Sequence, residues 1–234
     1  MLKNKKVEYI LSREKYDFYD LCTVLEILRG EGGCPWDMEQ THESIRKNFI
    51  EETYEVIEAI DNKDTELLRE ELGDVMLQVV FHTQMEKEIG NFDINDVTND
   101  VCAKLVHRHP HIFGDVQADT SEEVLKNWEA IKNVEKSRET LYDKLNSIPS
   151  MTPALMRSSK VAKKSGEYKE RTNSEILEEI KSYVEKISQS PENIEENDIG
   201  NLLFSIGALS SKADVDAEEA LFKKTNAFIE KYKN

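Results

Sequence analysis

Cysteine, proline and glycine are all scarce in this 234-residue chain. The three cysteines, Cys22, Cys34 and Cys102, are odd in number and none forms a CxxC pair. That argues against a disulfide framework and makes a reducing cytoplasm the expected compartment. Five prolines and nine glycines leave few points at which a helix must break. No apolar run approaches the roughly 20 residues of a membrane span, so no membrane association is expected. The opening MLKNKKVEYI has lysines but lacks the apolar centre of a signal peptide. Positive charge is short as well: 31 Lys and Arg stand against 47 Asp and Glu, a formal net charge of −16. Such a field repels a polyanion and excludes bulk nucleic-acid binding. A small phosphate ligand stays compatible with it, given a local basic patch or a metal ion.

What the chain has is charge and helix formers. Charged residues make up 33 % and hydrophobic residues 38 %, the balance of a folded, helix-rich protein. No run alternates convincingly enough for a strand, so the fold class is all-α. Residues 1–16 read as a charged lead-in. Leu21, Val24, Leu25 and Leu28, spaced at three and four, predict a helix that stops at Gly30. Cys34-Pro35-Trp36-Asp37 reads as a tight loop, with Trp36 locking it. A helix beginning at Thr41 or His42 runs through Ile60, Asp61 to Asp64 turn, and Asp64 or Thr65 caps the next, which ends at Gly90. Further helices are expected at about 94–107, from a Ser121 cap past Ile131, and at about 154–166, 174–188, 196–212 and 215–232. Asn146 to Ser150 looks like a linker. The expected organisation is a lead-in, a domain over 17–146 and a second over 147–234.

Glu52 and Glu55 lie three apart, as do Glu71 and Asp74 on the following helix. Three-residue spacing puts each pair on one helical face. A short turn between the helices makes an antiparallel hairpin across which the pairs converge. Four hard oxygen ligands suit Mg²⁺ or Mn²⁺. A solvated acidic stripe is the alternative, plausible for Glu51, Glu55 and Glu58. It is weaker for the second pair, because Leu72 to Phe81 is apolar nearly all round and predicts a buried helix, where an unpaired carboxylate is costly. Gly73 points the same way if it marks a close approach.

Gly33-Cys34-Pro35-Trp36-Asp37, Gln40-Thr41, Glu51-Glu52-Thr53-Tyr54-Glu55, Glu71-Leu72-Gly73-Asp74 and Arg108-His109-Pro110-His111-Ile112-Phe113 together resemble the MazG family in order and spacing. These are nucleoside triphosphate pyrophosphohydrolases of the all-α pyrophosphatase superfamily. The resemblance covers the chain from about Tyr19 onward. It implies a helical bundle of two MazG-like halves, usually a homodimer, cleaving a nucleoside triphosphate to monophosphate and pyrophosphate, in nucleotide pool control or clearance of aberrant nucleotides. It implies Mg²⁺ on Glu52, Glu55, Glu71 and Asp74, and substrate contacts from Lys104, Arg108, Trp128 and Lys132. Glu51 is a candidate, from adjacency alone, to orient or deprotonate the attacking water. In the second copy Glu179 keeps a carboxylate, Ser182 falls where an acid is expected, Asp198 and Asn201 stand for Glu and Asp, and Ala227 replaces the phosphate-contacting lysine. Catalysis is therefore expected in the N-terminal half.

Other readings are a narrower pyrophosphohydrolase acting on a deoxynucleotide or damaged nucleotide, and a non-catalytic helical dimerisation module. A zinc site at His107, His109 and His111 is disfavoured, since Pro110 breaks the helix and the three share no face.

Overall fold

The computed structural model describes residues 5–135 and 140–233, and among these every regular element is a helix. They group into two compact units dividing after Gln117. The first holds α1 (Lys5–Leu11), α2 (Phe18–Arg29), α3 (Pro35–Glu39), α4 (His42–Asn62), α5 (Thr65–Glu88), α6 (Ile94–Arg108) and α7 (Pro110–Phe113). The second holds α8 (Ser121–Glu135), α9 (Leu141–Asn146), α10 (Ala154–Ser165), α11 (Asn173–Gln189), α12 (Glu196–Lys212) and α13 (Ala217–Glu230).

Acidic and hydroxyl caps fix where the helices of the first unit begin. Asp17 accepts from the Tyr19 and Asp20 amides while Asp20 returns a bond to the Asp17 amide; Asp93 and Asp96 do the same ahead of α6. Each such cap satisfies amides the helix cannot. Asp64 caps α5, and Lys63 before it takes the left-handed conformation, φ 56°, so that α4 and α5 fold back as an antiparallel hairpin. The core under the hairpin is Leu25, Ile45, Val80, Phe81 and Met85.

Several local expectations change. The lead-in contains α1, tied to α2 by an ion pair of Lys6 with Glu26. Cys34 to Asp37 is not a loop: Pro35, at a position needing no amide donor, starts the short helix α3. Trp36 does not lock it, being more than half exposed. Thr120, not Ser121, caps α8, through a reciprocal bond with Glu123. The linker-like stretch follows α9, and Ile148 within it is buried. Leu72 and Met76 are 49 % and 44 % exposed, so α5 is not buried all round in the single chain. A side chain at Gly73 would meet nothing within 4 Å, so that glycine marks no close approach.

Arg29 fastens the segment after α2. Its guanidinium donates to the Asp37 and Gln40 carbonyls at 2.5 and 3.2 Å, forms a two-pronged pair with Glu88 at 2.9 Å for each bond, and lies 5.3 Å from the Phe81 ring centre. Burial pushes the Glu88 carboxyl up, but bonds from Arg29 and Gln84 outweigh it and hold it below the usual range. This contribution is therefore present at neutral pH and lost as pH falls through that lowered value. Arg29→Met should destabilise the first unit by about 2 kcal/mol, the scale of losing charged hydrogen bonds. Urea unfolding at pH 7 and pH 4 should show the difference shrinking in acid.

The second unit packs α10 and α11 on α12 around Ala162, Tyr168, Ile176 and Ala208. Gly207 permits it: a Cβ there would lie 1.9 Å from the Ser158 hydroxyl.

Candidate metal centre

Glu52 and Glu55 project from α4, Glu71 from α5, and one carboxylate oxygen of each lies within 4.8 Å of the others. Glu71 is buried, Glu52 half-buried and Glu55 exposed, so the group opens to solvent on one side. Asp74, half-buried one turn along α5, stands outside that tight group but within its field. Burial first, then the charges of Asp74, Glu55 and Glu51, push the Glu52 carboxyl up. Burial, then Glu55 and Asp74, does the same to Glu71. Among the described residues no lysine or arginine pairs with any of the four. Crowded, partly desolvated carboxylates without a cationic partner are costly as they stand. The donor set, all carboxylate and open on one side, fits a hard divalent cation that retains water.

The other sequence-derived positions are more scattered. Glu51 is exposed beside Glu52. Lys104 is exposed on α6, while Arg108, one turn further, is buried. Trp128 and Lys132 stand on α8 in the second unit, the ammonium 4.5 Å from the indole ring centre. His109 and His111 lie on either side of Pro110 with rings 5.6 Å apart, and the triplet forms no ligand cluster among the described residues.

Positions matched to the second copy look different. Glu179 accepts from the Ser205 hydroxyl at 2.7 Å and the Tyr168 hydroxyl at 3.1 Å and pairs with Arg171. Buried Asp198 pairs with Lys186 at 2.5 Å. Ser182 is exposed and donates to its own helix. Both of these carboxylates are paired with cations of the protein's own. Nothing in composition or helical spacing announces those pairs, since Arg171 lies in a loop and Lys186 is one of many surface lysines.

An all-α chain whose antiparallel hairpin brings Glu52 and Glu55 of one helix beside Glu71 of the next carries a helical carboxylate site. Residues 40–113, spanning both acidic helices and α6, match the model of the MazG nucleotide pyrophosphohydrolase domain. The chain is 41 % identical over 222 residues to the nucleoside triphosphate pyrophosphohydrolase/pyrophosphatase MazG of Thermotoga maritima, covering 92 % of this chain and 84 % of that protein. It is 37 % identical to the nucleoside triphosphate pyrophosphohydrolase of Escherichia coli K12, over 91 % of this chain and 84 % of that one. It is also 43 % identical over 164 residues to the uncharacterized protein YabN of Bacillus subtilis, covering 69 % of this chain and 32 % of that protein. The chain belongs to the MazG family.

Proposed function

We propose that the protein hydrolyses nucleoside triphosphates to nucleoside monophosphate and pyrophosphate in a Mg²⁺-dependent reaction, with Mn²⁺ an acceptable substitute. The observation that carries this is the cluster of Glu52, Glu55 and Glu71, all within 4.8 Å and, among the described residues, without a lysine or arginine paired to it. Asp74 completes the ligand set. Held by these carboxylates, a divalent ion would supply charge neutralisation for the phosphates and would lower the pKa of water. Water oxygen bonds to that phosphorus as its bond to the bridging oxygen breaks, and pyrophosphate leaves with the electron pair. Glu51, exposed beside Glu52, orients the water and takes its proton. Lys104 and Arg108, one turn apart on α6, hold the phosphates. Trp128 and Lys132, the ammonium over the indole ring, are further nucleotide contacts that the family resemblance implies.

Release of monophosphate and pyrophosphate, abolished by EDTA and restored by Mg²⁺, is the expected result across a panel of ribo- and deoxynucleotides. Diphosphate and orthophosphate as products would refute the reaction. Lys104→Ala should raise KM about tenfold or more, since a charged contact contributes roughly 1.5–3 kcal/mol, and leave the melting temperature unchanged because Lys104 is exposed. Wild-type KM would remove Lys104 from the substrate contacts.

The physiological setting that fits is nucleotide pool control or clearance of aberrant nucleotides in the cytoplasm, consistent with three unpaired cysteines and with no described helix long and apolar enough to cross a membrane. A homodimer is the expected assembly. Ile50, Tyr54, Ile57 and Ile60 on α4 and Leu72 and Met76 on α5 leave apolar surface exposed along the hairpin. Light scattering in line with gel filtration measures its mass directly.

A further inference from the structure

Gln78 lies on α5 one turn beyond Asp74, is 6 % exposed, and its buried side-chain oxygen has no hydrogen-bond partner among the described residues. At about 100° per residue it falls roughly 20° from the direction of Glu71 and roughly 40° from that of Asp74, so the three share a face. Two contacts set the register of the hairpin on either side of it. Glu55 meets Glu71 at the acidic end. At the other, His42 Nδ1 lies 2.7 Å from His82 Nδ1, with His42 Nε2 bonded to Glu86. Gln78 sits between, on the turn of α5 that separates the acids from the histidines.

The polar side chains further along α5 have partners. His82 has His42, Glu86 accepts from both His42 and Asn91, Thr83 donates to the Val79 carbonyl and Gln84 donates to Glu88. A buried acceptor left unpaired is destabilising, and such an atom in a folded core calls for a donor that joins it. Side chains on a helix lean toward its N-terminus, which carries Gln78 back over the turn of Asp74. A metal-bound water is the donor that this location offers, because a hard cation on carboxylates keeps several waters and polarises their hydrogens. A neutral amide oxygen accepts such a hydrogen without adding another negative charge to a group already crowded with four.

We propose that Gln78 is a positioning residue of the ion site, its Oε1 accepting a hydrogen bond from a water of the cation held by Glu52, Glu55, Glu71 and Asp74. The inference rests on the metal-site reading above. It is tested with the nucleotide-free full chain by titration calorimetry of Mn²⁺ and by thermal unfolding with and without Mn²⁺, comparing wild type, Gln78→Met, Gln78→Glu and Glu71→Gln. Gln78→Met keeps the shape and deletes the acceptor. It should weaken Mn²⁺ binding about 10–100-fold, the usual effect of losing an outer partner of a metal site. Its metal-free melting temperature should be no lower than wild type, since an unsatisfied group has been removed. Gln78→Glu, which keeps an acceptor oxygen, should retain Mn²⁺ affinity. Wild-type affinity in Gln78→Met overturns the proposal, as does a variant that binds Mn²⁺ normally but has a raised KM, which would assign the oxygen to the nucleotide. A lowered metal-free melting temperature in Gln78→Met also overturns it, making the residue a packing element. If Glu71→Gln loses Mn²⁺ while Gln78→Met does not, only this inference falls; if Glu71→Gln binds as wild type, the metal site itself is misassigned.

Discussion

Glu71→Gln is expected to lower kcat by about 10²–10³-fold, the scale seen when one preorganised electrostatic contact is removed from a reacting centre. The substitution keeps the side-chain volume and one oxygen and removes one anionic ligand from the only described carboxylate cluster that lacks a partnering cation. Glu71 is the buried member of that cluster, so water does not readily replace what it loses. Removing one of several crowded charges also relieves repulsion. The metal-free variant should therefore melt no lower than wild type, yet lose most of the stabilisation that Mg²⁺ confers. Asp198→Asn, at the matching position of the second copy, should leave kcat essentially unchanged, because Asp198 is already paired with Lys186 and is committed to capping α12. Steady-state rates for both variants, with circular dichroism to confirm folding, decide the matter. A live Glu71→Gln beside a dead Asp198→Asn would reverse the assignment of the active half.

The helices and the acidic hairpin were legible in the sequence because both depend on local regularities. Apolar spacing of three and four reports which face of a segment is buried, and ExxE and ExxD report that two acids share a face. Short polar turns such as Asp61 to Asp64 then leave little choice but an antiparallel pair. What lies opposite a face is a different kind of information. Leu72 and Met76 are apolar, and periodicity alone puts them inside; in the single chain they face outward. Gly73 looked like a contact point and is open, whereas Gly207, which passes without notice in sequence, is where α12 touches α10. Arg29 was invisible as a tie, because its partners include the carbonyls of Asp37 and Gln40, which any residue type supplies. The Pro, Ser and Asn content near residues 146–150 points to a turn there, and the compact units divide after Gln117. Composition marks where a chain can turn, and packing decides which turn separates two cores.

The ion pairs of the second unit yield the other large effect. Arg171→Met should destabilise that unit by about 3 kcal/mol while leaving kcat unchanged, in line with breaking a partly buried ion pair from one side. Glu179 is four-fifths buried, and burial by itself would push its carboxyl up. Bonds from Ser205, Arg171 and Tyr168 outweigh burial and hold it below the usual carboxylate range. With Arg171 gone, the carboxylate keeps only two neutral donors, and Tyr168 also loses the guanidinium 4.9 Å from its ring centre. The sign with pH follows. A lowered carboxylate contributes stability above its ordinary value and loses it as pH falls through the lowered one. The gap between wild type and Arg171→Met should therefore be full at pH 7 and shrink below about pH 4. Trp128 belongs to this unit and Trp36 to the other, so tryptophan fluorescence in a Trp36→Phe background follows the second unit through urea unfolding. Glu179→Gln combined with Arg171→Met should recover part of the loss, because the charge left stranded is gone. An unchanged urea midpoint in Arg171→Met would mean that the pair does not hold this unit together. A fall in kcat with the midpoint intact would mean something more consequential: that residues of the second unit take part in turnover.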